Sequence, residues 1–213
     1  IHIIENGVKS DSSIYYYPNK NIAKILYYLK KDTVFEKDFS EDSRLLSEGK
    51  NLKEKMLGKW KFYKENGNLD KIIEYIDLCG EQYMNQGWYF KDNGDTLYKN
   101  SNFVSIKISE GNFKINQKHE FKFIYKRLLG STSEFWLSIS PDVDNKFCNI
   151  NKINMSNQYS KANQIIAKIG FETPGKKTLR GFISEFKDSI ISGEKVSKIA
   201  ERRVYFEIPV MVK

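Results

Sequence analysis

Apolar and polar residues alternate with a period of two over much of this chain, and the alternation is clearest in its second half. Glu120-Phe-Lys-Phe-Ile-Tyr125 places Phe121, Phe123 and Tyr125 on one side of an extended strand. Glu134-Phe-Trp-Leu-Ser-Ile139 does the same with Phe135, Leu137 and Ile139. The closing run aligns Val204, Phe206, Ile208, Val210 and Val212. Three further runs, Phe103 to Ile108, Ile165 to Phe171 and Thr178 to Phe186, bring the strand-like segments to six. Six short strands with this pattern predict a β-sandwich over residues 100–213. Pro209 cannot donate to a ladder, so the last strand is expected at an edge or a bulge. The polar stretches 141–164 and 187–202 read as loops, and Val196 to Arg202 fits two helical turns equally well. Elsewhere only 21–31 and 51–56 are ambiguous towards helix.

The first half carries a different signal, a repeat. An aromatic residue, a polar turn and a residue six places on recur at Tyr16/Ile22, Phe39/Leu45, Tyr63/Leu69 and Phe90/Thr96, with Leu97 behind the last. The aromatics are 23, 24 and 27 residues apart, a period typical of stacked supersecondary units. Asn66-Gly67 and Asn93-Gly94 are strong hairpin turns because both residue types tolerate positive φ. The first two copies lack the glycine, which leaves the number of hairpins open. One hairpin buries too little surface to stand alone, so stacking into a long antiparallel sheet with an aromatic row is expected over residues 1–99. The predicted fold class is therefore mainly β, stacked antiparallel β-hairpin repeats followed by a β-sandwich, with little helix.

The run Glu48-Gly49-Lys50-Asn51-Leu52, followed by Gly58-Lys-Trp-Lys-Phe-Tyr-Lys-Glu-Asn-Gly-Asn-Leu69, resembles the MORN-type repeats of bacterial proteins, some of which are labelled antitoxin-like. The resemblance extends over roughly residues 14–98 and implies a scaffold or interaction role without a reaction. The Pro-Gly-Lys hairpin near residue 174 and the closing strand resemble the last strands of an immunoglobulin-like domain, although the Cys…Trp…Cys signature is absent.

Composition narrows the chemistry. The net charge of +8 lies wholly after residue 99, where 19 Lys+Arg face 11 Asp+Glu, against 16 of each before it. The lysines are scattered along strand-like runs, which favours solvated strand faces over a nucleic-acid surface. No apolar run is long enough for a transmembrane helix. Cys79 and Cys148 have no metal spacing and are expected as two buried free thiols, the alternative being one disulfide between the halves of an exported protein. His2 and His119 assemble no catalytic or zinc set, and His119 reads as a surface or structural residue. Gly170 to Lys177 has the GxxxxGK spacing, but Lys177 stands where Ser or Thr is needed, Pro174 removes an N–H, and a strand follows where the motif needs a helix. Asp142, Asp144 and Asn145 form a polar turn rather than a complete calcium loop. No metal or cofactor is expected.

What remains is binding. Trp60, Tyr63, Trp88, Tyr89 and Phe90 are the candidate contact residues, set against the alternative that they form the shared core of the hairpins. The expected function is a non-catalytic protein-binding or scaffold protein, in an exported bacterial assembly or a toxin–immunity pair. The alternative is a surface protein that binds carbohydrate or anionic lipid. Beginning at Ile1 rather than Met fits a leader already removed and an extracytoplasmic location, and equally an expressed fragment.

Overall fold

The structure, a computed structural model, describes residues 4–5, 8–9, 12–29, 32–108, 113–130, 133–160, 163–191 and 194–213. The described residues contain strands and turns and no helix. The chain divides into two compact units, Ile1–Ser101 and Asn102–Lys213.

In the first unit a two-residue pair, β1 (Ile4–Glu5) and β2 (Val8–Lys9), precedes one seven-stranded antiparallel sheet. Its strands are β3 (Ser12–Tyr16), β4 (Ile22–Tyr28), β5 (Thr33–Phe39), β6 (Leu45–Leu52), β7 (Lys55–Tyr63), β8 (Leu69–Leu78) and β9 (Glu81–Tyr89), in chain order. The stretches ambiguous towards helix, 21–31 and 51–56, are thus strand and turn wherever they are described. Pairing to both neighbours satisfies the backbone groups that a short helix would leave open at its ends.

The six-residue spacing of the repeat is a pairing distance. Tyr16 lies opposite Ile22, Phe39 opposite Leu45, Tyr63 opposite Leu69 and Phe90 opposite Thr96. In the first three pairs the register shifts by one residue at the aromatic. Between the partners all four turns make the same two backbone bonds. Tyr17, Ser40, Lys64 and Lys91 donate N–H to the carbonyls of Asn21, Arg44, Asn68 and Asp95, at 2.8–2.9 Å. Lys20, Ser43, Gly67 and Gly94 donate back to the carbonyls of Tyr17, Ser40, Lys64 and Lys91. Those four donors occupy one left-handed position, with φ of 70°, 67°, 81° and 85°. The first two copies are therefore full hairpins, built on a lysine and a serine held where glycine is at ease.

The turns are also tied to one another. The last residue of each of the first three turns donates from its side chain to the second residue of the next. Asn21 Nδ2 reaches the Glu41 carbonyl at 2.6 Å, Arg44 that of Glu65 at 3.0 Å, and Asn68 Nδ2 that of Asp92 at 3.1 Å. At the opposite sheet edge, Lys53-Glu54 and Cys79-Gly80 join β6 to β7 and β8 to β9 with both residues at positive φ. That is the backbone of a two-residue hairpin turn matching strand twist.

The second unit has two sheets. β10 (Val104–Ile108), β11 (Lys118–Tyr125) and β14 (Gln164–Gly170) form one, in the order β10-β11-β14. β12 (Glu134–Ser140), β13 (Ser156–Ser160), β15 (Gly175–Ile191) and β16 (Glu194–Val212) form the other, in the order β13-β12-β15-β16. Phe121, Phe123, Tyr125 and Ile165 from the first share one core with Phe135, Leu137, Ile183, Val204 and Phe206 from the second. This is a sandwich arrangement, and the alternating residues of both sheets fill it. Each fully buried aromatic here contributes roughly 1.5–3 kcal/mol relative to exposure. Pro209 lies on the outermost strand of its sheet, opposite Thr178.

Two expectations for this unit need correction. Residues 187–202 are not a loop or a helical stretch, because β15 and β16 continue as a long hairpin to Ile191 and Glu194. The two runs satisfy each other's backbone groups there, with one register shift between Lys187 and Ser189. The polar segment 141–164 is turn-rich but carries β13, which edges its sheet.

Candidate functional site

The five candidate aromatics do not form one row. Trp60 lies opposite Ile73, and Ile73 opposite Gly87, while Trp88 lies opposite Ile72 and Ile72 opposite Lys61. Adjacent positions point to opposite faces, so Trp60 and Trp88 are on different sides of the sheet. Tyr89, in register with Lys71 and Phe62, joins Trp60, and Tyr63 joins Trp88. Phe90 sits at the entrance to the last turn, bridged to Thr96.

Their environments differ as well. Trp60 is fully buried, with its indole N–H donated to the Lys50 carbonyl at 2.8 Å. A Cβ at Gly49 would fall inside the indole, so glycine is needed there for close approach rather than for φ. Trp88 is half-buried under the Lys59 ammonium, 4.7 Å from the ring. Tyr63 donates its hydroxyl to Glu48 at 2.8 Å, and burial together with that carboxylate pushes its pKa up to about 12. Glu48 also receives Lys61 at 3.1 Å and Lys37 at 3.4 Å. Burial alone would raise the Glu48 pKa, but Tyr63, Lys61 and Lys37 together hold it below the usual carboxylate value. Tyr63 is therefore tied into a polar network, and Trp60 presents nothing to a ligand.

The strongest site in this unit involves residues that sequence reading passed over. A cavity of about 770 Å³ lies on the Trp60 face, lined among others by Tyr15, Lys24, Leu26, Glu36, Asn51 and Met56. Lys24 pairs with Glu36 and, at 3.1 Å, with Asp38. Desolvation works against its charge, yet the two carboxylates raise its pKa overall. The second oxygen of Glu36 accepts from Asn51 Nδ2 at 2.5 Å. The other end of that amide, Asn51 Oδ1, is buried without a hydrogen-bond partner. A buried acceptor left open costs about 1–3 kcal/mol. The sequence signal was present as opposite charges at cross-strand positions, since Lys24 faces Asp38. Only the register shows it.

Other polar residues singled out in the sequence are structural. His119 is buried against Phe113 and Phe171, and its Nε2 accepts the Lys114 N–H at 3.0 Å. Asp144 accepts from the N–H groups of Cys148 and Lys146 at 3.0 and 2.9 Å, and these bonds, that from Cys148 foremost, hold its pKa low. No group of three or more His, Cys, Asp or Glu side chains suited to a metal occurs among the described residues. After Gly175 the chain enters β15, so no helix follows the GxxxxGK spacing. The cysteines are not buried free thiols: Cys79 sits exposed at a hairpin tip, Cys148 is exposed in a turn, and neither is free.

One carboxylate escaped sequence reading. Glu185 is fully buried on the core side of β15 and accepts from Tyr125 Oη, the N–H groups of Leu128 and Leu129, and Ser133 Oγ, at 2.5–3.1 Å. It fastens the connection between β11 and β12. A glutamate in an alternating run gives no sign of this, because the donors come from more than fifty residues away.

No protein-family model matches the chain, and no curated protein and no solved structure matches it.

Proposed function

We propose that this chain is a non-catalytic binding protein that holds another protein on the Trp60 face of its hairpin sheet. The observation that carries the reading is the open cavity of about 770 Å³ whose lining combines exposed Tyr15 with the charged and polar side chains of Lys24, Glu36 and Asn51. The acidic residues lining the cavity, Asp32, Glu36 and Glu54, outnumber Lys24 and Lys53 and favour a basic contact segment. Exposed Tyr15 beside the cavity supplies apolar contact area with few rotamers to freeze. An exported assembly or a toxin–immunity pair remains the setting this reading suits.

The test is affinity enrichment from the source cell with the intact chain, run beside a Tyr15→Ala/Glu54→Lys variant, which removes the exposed ring and reverses one acidic charge of the lining. Expected is one protein that co-purifies with the parent, is depleted with the variant, and rebinds when purified. Recovery of no protein partner, or equal retention by the variant, overturns the reading.

A further inference from the structure

The second unit has a cleft of its own, on the face of the β13-β12-β15-β16 sheet that turns away from the sandwich core. Phe135 and Leu137 point into the core, so Trp136 and Ser138 point out. Cross-strand register then assembles two outward rows, Tyr159–Trp136–Ser184–Arg203 and Asn157–Ser138–Phe182–Tyr205. Ser138 and Ser184 are only 5% and 6% exposed, at the floor between larger side chains, and Ile153, Asn154 and Met155 line the same cleft. The cleft measures about 650 Å³, which falls in the range of small-ligand sites.

Its lining combines two chemistries. Trp136 is 46% exposed and stands edge-on to Phe186, with ring centroids 5.5 Å apart. The indole is therefore held in place by packing while much of its surface stays open. Beside it are fixed polar groups. Ser138 Oγ donates to Asn157 Oδ1 at 2.6 Å, which fixes the orientation of the amide. Ser184 Oγ and Arg203 Nε both donate to Glu201 Oε1, at 2.6 and 2.9 Å. The Arg203 guanidinium also lies 4.9 Å from the Phe182 ring. Glu201 and Arg203 are the only charged residues lining the cleft among the described ones, and they neutralise each other.

We propose that this cleft binds a neutral saccharide. A pyranose ring has an apolar C–H face, which an exposed, rigid indole accepts, and a rim of hydroxyls that both donate and accept. The Asn157 amide and the Glu201–Arg203 pair offer donors and acceptors side by side, as vicinal hydroxyls require. An anionic or cationic ligand would find its charge already matched within the cleft and would lose hydration without gain. A purely apolar ligand would leave the polar groups of the cleft unpaired. The site lies in the other unit from the Asn51 cavity, so either proposal can fail alone.

The test is titration of the full chain with lactose, maltotriose, cellotriose and chitotriose, followed by calorimetry and by saturation-transfer NMR. Saturable binding of at least one of them is expected, with transfer to the ring C–H protons. Trp136→Ala is expected to weaken it by roughly tenfold or more, as loss of an aromatic stack does. Because Trp136 is nearly half exposed, its truncation leaves the core intact. Asn157→Ala, at an exposed edge-strand position, gives a second variant with the same expected direction. Absence of saturable binding by all four sugars, undiminished binding in both variants, or tighter binding of a sialylated or sulfated analogue overturns the proposal.

Discussion

The two units are both antiparallel β and hold themselves together differently. In the second, two sheets close on a core of large apolar side chains, from Phe121 and Phe123 to Val204 and Phe206. In the first, Trp60 and Ile73 are the only fully buried hydrophobic residues among the described ones. Its buried set is otherwise polar, with Ser13, Glu36, Ser47, Asn51 and Asn85 among it. A single twisted sheet has no second layer within its own unit, so apolar burial alone does not stabilise it. Repetition does that instead. The same turn, built four times, lets each copy hydrogen-bond the next, and charged pairs such as Lys24–Glu36 and Lys37–Glu48 bridge neighbouring strands. In the second unit the most deeply buried polar cluster gathers on the Glu185 carboxylate.

Replacing that carboxylate should give the largest effect. Glu185→Ala removes the shared acceptor of Tyr125, Leu128, Leu129 and Ser133, and a loss of about 3–5 kcal/mol is expected. Chemical denaturation measures it, with Glu185→Gln recovering part of the loss. A change within about 0.5 kcal/mol would contradict the role given to Glu185.

In the first unit the corresponding weak point is steric. Gly49→Ala pushes a methyl group into the Trp60 indole and is expected to cost about 1–3 kcal/mol, as overpacking does. Hydrogen exchange should show the loss in β6 and β7 and little change in β11 and β15. Uniform loss of protection in both units would remove the contrast between them.

A gain is expected from Ser43→Gly, which relieves a left-handed serine at φ 67° in a turn that other copies build with glycine. About 1 kcal/mol is expected, less the entropy glycine adds to the unfolded chain. A destabilised variant would mean that the four turns are not equivalent.

The smallest effect concerns pH. Glu48 has a lower pKa folded than unfolded, so the unfolded chain binds more protons in the acid range. Its contribution is present above the ordinary carboxylate pKa and fades as pH falls through the folded value. Glu48→Gln should flatten the acid limb of stability against pH in the first unit. The same variant should bring the Tyr63 pKa down from about 12, measurable by NMR of labelled tyrosine. An unchanged Tyr63 titration would mean that burial, not Glu48, sets it.

Much of the fold is legible in the residue pattern. Period-two alternation located Phe121, Phe123, Tyr125, Phe135 and Leu137 in the core, and the six-residue spacing marked the four turns while leaving open whether the first two were full hairpins. Reading failed where identity and position disagree. Lys20 and Ser43 hold a conformation normally signalled by glycine, and the polar composition around residues 187–202 hid the long β15–β16 hairpin. Of the candidate aromatics, the sequence located the residues and not their faces.

The amino-acid sequence by itself determined the alternating strands, the hairpin repeat and the change of architecture near residue 100, because alternation and turn chemistry act between near neighbours along the chain, whereas the polar strands within 141–164 and 187–202 were set by their partners. Tertiary structure decided which side each residue faces and what it meets there. Trp60 went inward onto Gly49, Asn51 kept an open acceptor, and Trp136 took the outer side of a sheet whose inner side is core. Those outcomes depend on the register between strands far apart in sequence, where a one-residue slip moves every side chain to the opposite face.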